Sequence, residues 1–345
     1  MILNPRSAFI MASLKSRENT LVGERHFERV AFASNGADAR DALRDTDIGA
    51  WLAGTDPSGA RGLDAVLWRY FGEVVESLET HRFFPSAARK FCGVYLLKYD
   101  VVNLRIALQG LGGARKQLLL PVGVLYKHGR LGDIEEAKSV EELGEILKAC
   151  GLQAFEPLVR DHNPAGDTAT RLIVDTSLEN EYNRILVRTA QCLSGGCVLA
   201  GACSLAIDLT NLSILCRALL TGVGTAAGGA FIRGGRMLDL ESLRETLAGH
   251  LQDMPQRVAD PFFRKIAVEV VTACENAGTL AVPDEVIEKH RLAALHALLA
   301  PQVAPVAIMA WYLILKEIEL RNVRLLLRAV EETLSLAEIR RYLLL

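Results

Sequence analysis

Leu97, Val101, Leu104, Leu108 and Leu111 recur at alternating steps of four and three, the stripe of a helix buried along one side. Leu205, Leu209, Leu212, Cys216 and Leu219 repeat the stripe, and Leu320, Val323, Leu327 and Val330 repeat it again. Each carries the same polar insertion at the same phase: DVVNLRIALQ from Asp100, DLTNLSILCR from Asp208 and ELRNVRLLLR from Glu319. The acid and the asparagine three residues on share one edge of the seam, because residues three apart stand on one helical face. Asn103, Asn211 and Asn322 lie 108 and 111 residues apart, so the copies are nearly evenly spaced, the mark of an internal repeat.

A second helical pattern precedes each motif: LDAVLWRYFGEVVESLE from Leu63, TSLENEYNRILVRTAQCL from Thr176 and DEVIEKHRLAALHALL from Asp284. The pairing predicts antiparallel helical hairpins. Glycine-flanked segments follow the first two motifs, GVLYKHGRL at Gly123 and GAFIRGGRM at Gly229, where glycines permit positive φ. Short amphipathic helices come next, SVEELGEILKAC and DLESLRETLAGH. The unit is short helix, helix, motif helix and glycine turn, in copies at about 35–130, 139–236 and 239–331; the terminal SLAEIRRYLLL starts a further echo. RDHNPAGDTAT (160–170) and DMPQRVADP (253–261) read as local loops, and no linker divides the chain. With β alternation nearly absent, the prediction is an all-α fold forming a single helical domain over 1–345.

Composition narrows the partners. Of 345 residues, 50% are hydrophobic, so a sizeable core is assured, and the net charge of -2 gives no electrostatic case for nucleic acid or an anionic membrane. Protein partners are the expectation. Seven scattered cysteines, an odd number among apolar residues, predict reduced thiols. The acid-free opening MILNPRSAFIMASLKSR leaves a transit peptide or a flexible tail open. CVLAGACSLAI (197–207) and PVAIMAWYLIL (305–315) stop short of the roughly 20 apolar residues of a membrane span and are expected to be core helices, with no transmembrane segment of the chain's own.

Catalytic chemistry finds little support. GVGTAAGGAFIRGG (222–235) lacks the Gly-Lys-Ser/Thr ending of a phosphate loop and follows a helix, not a strand. Cys192, Cys197 and Cys203 match no zinc spacing, the histidines are scattered, and no serine nucleophile motif occurs. Glu317 and Glu319 are read as solvated or partner-facing charges. No catalytic residue, metal, cofactor or small-molecule substrate is expected.

The triplicated acid-x-x-Asn helix, with KEIELRNVRLLLRA (316–329) as its most specific copy and LVGERHFERVAFASNGADARDALRDTDIGAWL (21–52) as the opening, resembles the C subunit of rotary V/A-type ATPases, called subunit d in eukaryotic V-ATPases. The resemblance spans about residues 20 to 340. It implies a funnel of three related hairpin units with pseudo-threefold symmetry. It further implies a non-catalytic cytoplasmic subunit, peripheral to the membrane, that joins central-stalk subunits D and F to the membrane rotor ring and passes torque for ion translocation. On that reading Asp100, Asn103, Asp208, Asn211, Glu319 and Asn322 cap neighbouring backbone or edge a central concavity, with hydrogen bonding between helices as the structural alternative. Arg105, Arg324 and Arg328 support a partner contact or pair with local acids. Leu125, Tyr126, Phe231 and Ile232 stand at tips that contact the ring, or bury against the funnel. Ser213 replaces the arginine in the second unit, and the third has no glycine segment. A helical-repeat scaffold for another protein is the alternative function.

Overall fold

Three hairpins of long helices carry the architecture: α1 (Gly59–Thr80) with α2 (Ser86–Leu111), α3 (Thr168–Cys192) with α4 (Cys197–Thr221), and α5 (Val282–Leu299) with α6 (Pro305–Glu331). The computed structural model describes residues 5–55, 59–81, 84–111, 119–163, 168–277, 281–335 and 339–344. No strand occurs among them, so the fold is all-α. Several sequence expectations fall partly outside: residues 1–4 of the opening, 164–167 of the first local loop, 336–338 and 345 of the terminal echo, and 56–58, 82–83, 112–118 and 278–280 of the expected first and third repeat copies.

The motif helices α2, α4 and α6 exceed 24 residues because their seams never lapse; Leu104, Leu209, Leu212 and Val323 are fully buried. The packing order then closes on itself. Within each hairpin the two helices touch; α2 also packs on α3, α4 on α5, and α6 returns to α1. Two connected apolar regions result, a larger one through the N-terminal helices, α1–α3 and α6, and a smaller one around α4, α5 and the segment 227–274.

Among the described residues one helix, α4, is long and apolar enough to cross a membrane, with mean hydropathy 1.7. Its most apolar window is 61% buried, chiefly against α3 and α5, which favours the core-helix reading.

Helix α3 begins at Thr168, eight residues before the apolar pattern, and a 17-residue helix, Pro261–Ala277, stands where no long element was expected. Its start is specified locally: the Asp260 carboxylate accepts the N–H groups of Phe262 and Phe263 at 2.9 and 3.2 Å, with proline in the first turn. Phe263, Ile266, Ala267 and Val270 are its fully buried face. The loop expected at 253–261 contains the short helix Met254–Arg257.

Candidate functional site: backbone clips and a central cavity

The motif asparagines are clips. In each copy the side-chain amide donates to the C=O and accepts from the N–H of one residue, as a neighbouring β-strand would. Asn103 donates to the Leu120 carbonyl at 3.0 Å and accepts its N–H at 2.7 Å; Asn211 does the same with Ile232 at 2.8 and 2.7 Å; Asn322 with Leu344 at 2.7 and 3.1 Å. Only a primary amide offers a donor and an acceptor side by side in one plane, which is why asparagine stands there.

The motif acids take further backbone N–H groups from the same region. Asp100 accepts Val124 and Leu125, each at 2.9 Å, and so caps the short helix Val124–Lys127, whose own cap residue, Gly123, has no side chain. Asp208 accepts Arg236, Met237 and Leu238 at 2.9, 3.0 and 3.3 Å. Glu319 accepts Val22 at 2.9 Å and pairs with the buried Lys316 ammonium at 2.9 Å. All six motif side chains are buried. Burial pushes the Asp100 carboxyl up to about 7, and the amides of Leu125 and Val124 pull it partly back; Asp208 and Glu319 are raised for the same first reason. The glycine segments follow from this geometry. A β-carbon at Gly123 would lie 2.5 Å from Asp100 Oδ1, and one at Gly235 would lie 1.9 Å from Asp208 Oδ1.

A second repeated contact locks each hairpin to the next. The residue two after the asparagine reaches an aspartate on the first helix of the following hairpin. Arg105 donates to Glu179 at 2.9 Å and to the Asp175 carbonyl at 2.8 Å, with the Asp175 carboxylate 3.9 Å away. Ser213 donates to Asp284 at 2.5 Å, and Arg217, one turn on, adds the charge that serine lacks through Nε at 3.0 Å. Arg324 Nε lies 2.9 Å from Asp64, which Arg328 also reaches at 2.6 Å. The last of these contacts closes the packing circle.

On the opposite face of the motif helices lies a cavity of about 370 Å³. Three levels of its wall use matching positions of the three copies: Phe91, Leu199 and Ala310, nine residues before the motif acid; Tyr95, Cys203 and Ile314, five before; Lys98, Ala206 and Glu317, two before. The lowest level is charged. Glu317 accepts Tyr95 at 2.9 Å, accepts the Tyr99 hydroxyl and pairs with Lys98, whose ammonium also lies 3.9 Å from the Tyr95 ring centre. Burial lowers the Lys98 pKa, Glu317 opposing it, and burial raises the hydroxyl pKa values of Tyr95 and Tyr99. Across the cavity Arg291 pairs with Glu288 at 2.9 Å and donates to Thr210 at 3.0 Å.

The expected site residues therefore separate. The acid and asparagine pairs hold backbone instead of edging the cavity, because they stand about half a helical turn away from the cavity stripe. Arg105, Arg324 and Arg328 pair with acids of this chain. Of the four expected tip residues, Tyr126 alone is exposed; Leu125, Phe231 and Ile232 are buried because the clips draw their segments down onto the motif helices. Glu317 and Glu319, expected as solvated or partner-facing charges, are instead paired with Lys98 and Lys316 of this chain, because each ammonium lies within the same packed helices. Sequence reasoning missed the partners Tyr95 and Lys98 and the aspartates Asp64, Asp175 and Asp284. A stripe at nine, five and two residues before each acid was the available signal for the first. No cluster of three or more metal-ligating side chains occurs among the described residues.

No curated protein matches the chain. The family model described as the ATP synthase (C/AC39) subunit matches residues 10–342, nearly the whole length, and with the repeated, all-helical architecture this places the chain in that family of V/A-type ATPase subunits.

Proposed function

We propose that the chain is a non-catalytic coupling subunit: a socket at the cytoplasmic mouth of the membrane rotor ring that grips the central stalk of subunits D and F and transmits torque for ion translocation. The observation that carries this reading is the cavity wall, in which three matching levels come from α2, α4 and α6. Such a wall is what three hairpins about a pseudo-threefold axis would produce. The cyclic packing order and the repeated clasp on Asp175, Asp284 and Asp64 support the same arrangement. The lining suits a protein partner: apolar levels above, paired charges below, and acids (Glu179, Glu288, Glu317) matched by bases (Lys98, Arg291, Arg321). In this role the chain stays peripheral to the membrane, holds no nucleotide, and contributes rigidity where an enzyme would contribute chemistry.

The test is an affinity tag on the chain in its native membranes. After mild detergent extraction the tagged chain should bring down stalk and ring subunits together. Recovery with a different soluble partner and none of these would replace the socket by a helical-repeat scaffold.

A further inference from the structure

The third clip is assembled differently from the other two. In the first unit Asn103 holds the Leu120 peptide and, four residues on, Asp100 takes the Val124 N–H. In the second, Asn211 holds Ile232 and, again four residues on, Asp208 takes the Arg236 N–H. One continuous loop supplies both halves, within a reach of about 14 Å of chain. In the third, Asn322 holds Leu344, while Glu319 takes the N–H of Val22, from a segment remote in sequence. Val22 and Gly23 repeat in sequence the Val122-Gly123 pair of the first loop, although Glu319 takes the Val22 amide where Asp100 takes those of Val124 and Leu125, so the third clip draws its two halves from two remote segments.

Three features make this clip the easiest to open. A loop held at one point presents its second point at high effective concentration, whereas two remote segments must be ordered separately. Glu319 takes one backbone N–H among the described residues, where Asp100 takes two and Asp208 three. Glu319 also has an ammonium in contact, Lys316 at 2.9 Å, which Tyr70 in turn meets at 2.7 Å. Losing Val22 therefore leaves no buried charge without a partner, whereas losing the loop amides would strand Asp100 or Asp208.

We infer that this split clip is the releasable seam of the ring: the Val22 and Leu344 segments leave α6 as one unit while the other two clips stay closed. Leu344 also lines the central cavity, so release widens that cavity from one side. The use of this widening for admitting a stalk rests on the proposed function; the release itself does not.

Hydrogen exchange at residue resolution on the full isolated chain tests the release, with no stalk required. The amides of Val22 and Leu344 should exchange roughly ten-fold or more faster than those of Val124, Leu125, Arg236 and Met237. Asn322→Ala should speed exchange at Val22 as well as at Leu344, leaving the two loops unchanged. Equal protection at all three clips in the unaltered chain would overturn the inference, even if the variant failed to fold. Acceleration of Leu344 alone would also overturn it, because the two segments would then not move together.

Discussion

Arg328 donates to Asp64 at 2.6 Å across 264 residues of chain, and with Arg324 on the same carboxylate it joins the last long helix to the first. The contact is partly exposed, so its value is modest, but it stands where the circle of helices closes. Asp64→Asn should lower unfolding stability by about 1 kcal/mol. A double-mutant cycle with Arg328→Ala should show coupling of the same sign, read from urea melts. Zero coupling would mean the contact closes nothing.

The two intact clips should differ in strength. Asn211→Ala leaves the N–H and C=O of Ile232 without partners in a buried setting, whereas Leu120, the partner of Asn103, is half-buried and open to water. Asn211→Ala is expected to cost about 3 kcal/mol and Asn103→Ala about half of that. Thermal melts of both variants check the order, and the reverse order would contradict the clip account.

Gly235→Ala is a purely steric probe, since its backbone is not in the left-handed region while its β-carbon would fall 1.9 Å from Asp208. A loss of about 3 kcal/mol is expected. Gly222→Ala is the control, with a left-handed φ of 70° but open space around the added carbon, and should lose about 1 kcal/mol. Similar losses at the two positions would show that the carboxylate does not sit where the clip requires.

Asp100 makes stability depend on pH in an unusual direction for a carboxylate. Its folded pKa, raised to about 7 by burial, lies above the value of 3.8 of an ordinary aspartate. The folded state thus holds the proton more tightly, so this contribution is fully present below about pH 4 and is lost as pH rises through 7. Asp100→Asn cannot titrate, so the stability gap between the natural chain and the variant should shrink as pH rises from 4 to 7. Denaturant melts across that window check the sign, and a gap that widens would refute it.

The helical class, the three hairpins and their motif phase were legible because a seam at steps of four and three needs only local sequence. The Pro261–Ala277 helix was not expected, because it interrupts the third unit and its one local signal, the Asp260-Pro261 start, also fits a loop. Asp64, Asp175 and Asp284 were not legible as a set, because the turns between hairpin helices differ in length and the aspartates stand at unequal distances from their asparagines. Nor could the partner of Glu319 be read, since Val22 lies 297 residues away and repeats only a two-residue signature of the first loop.

The central claim, that matching faces of α2, α4 and α6 grip a stalk, is tested most directly by a photo-crosslinking residue at Ala206, on the cavity wall at the level of Lys98 and Glu317. In the assembled, membrane-bound complex it should crosslink to a central-stalk subunit, while the same residue at the exposed Val268 should not. Stalk crosslinks from Val268 with none from Ala206 would contradict the account.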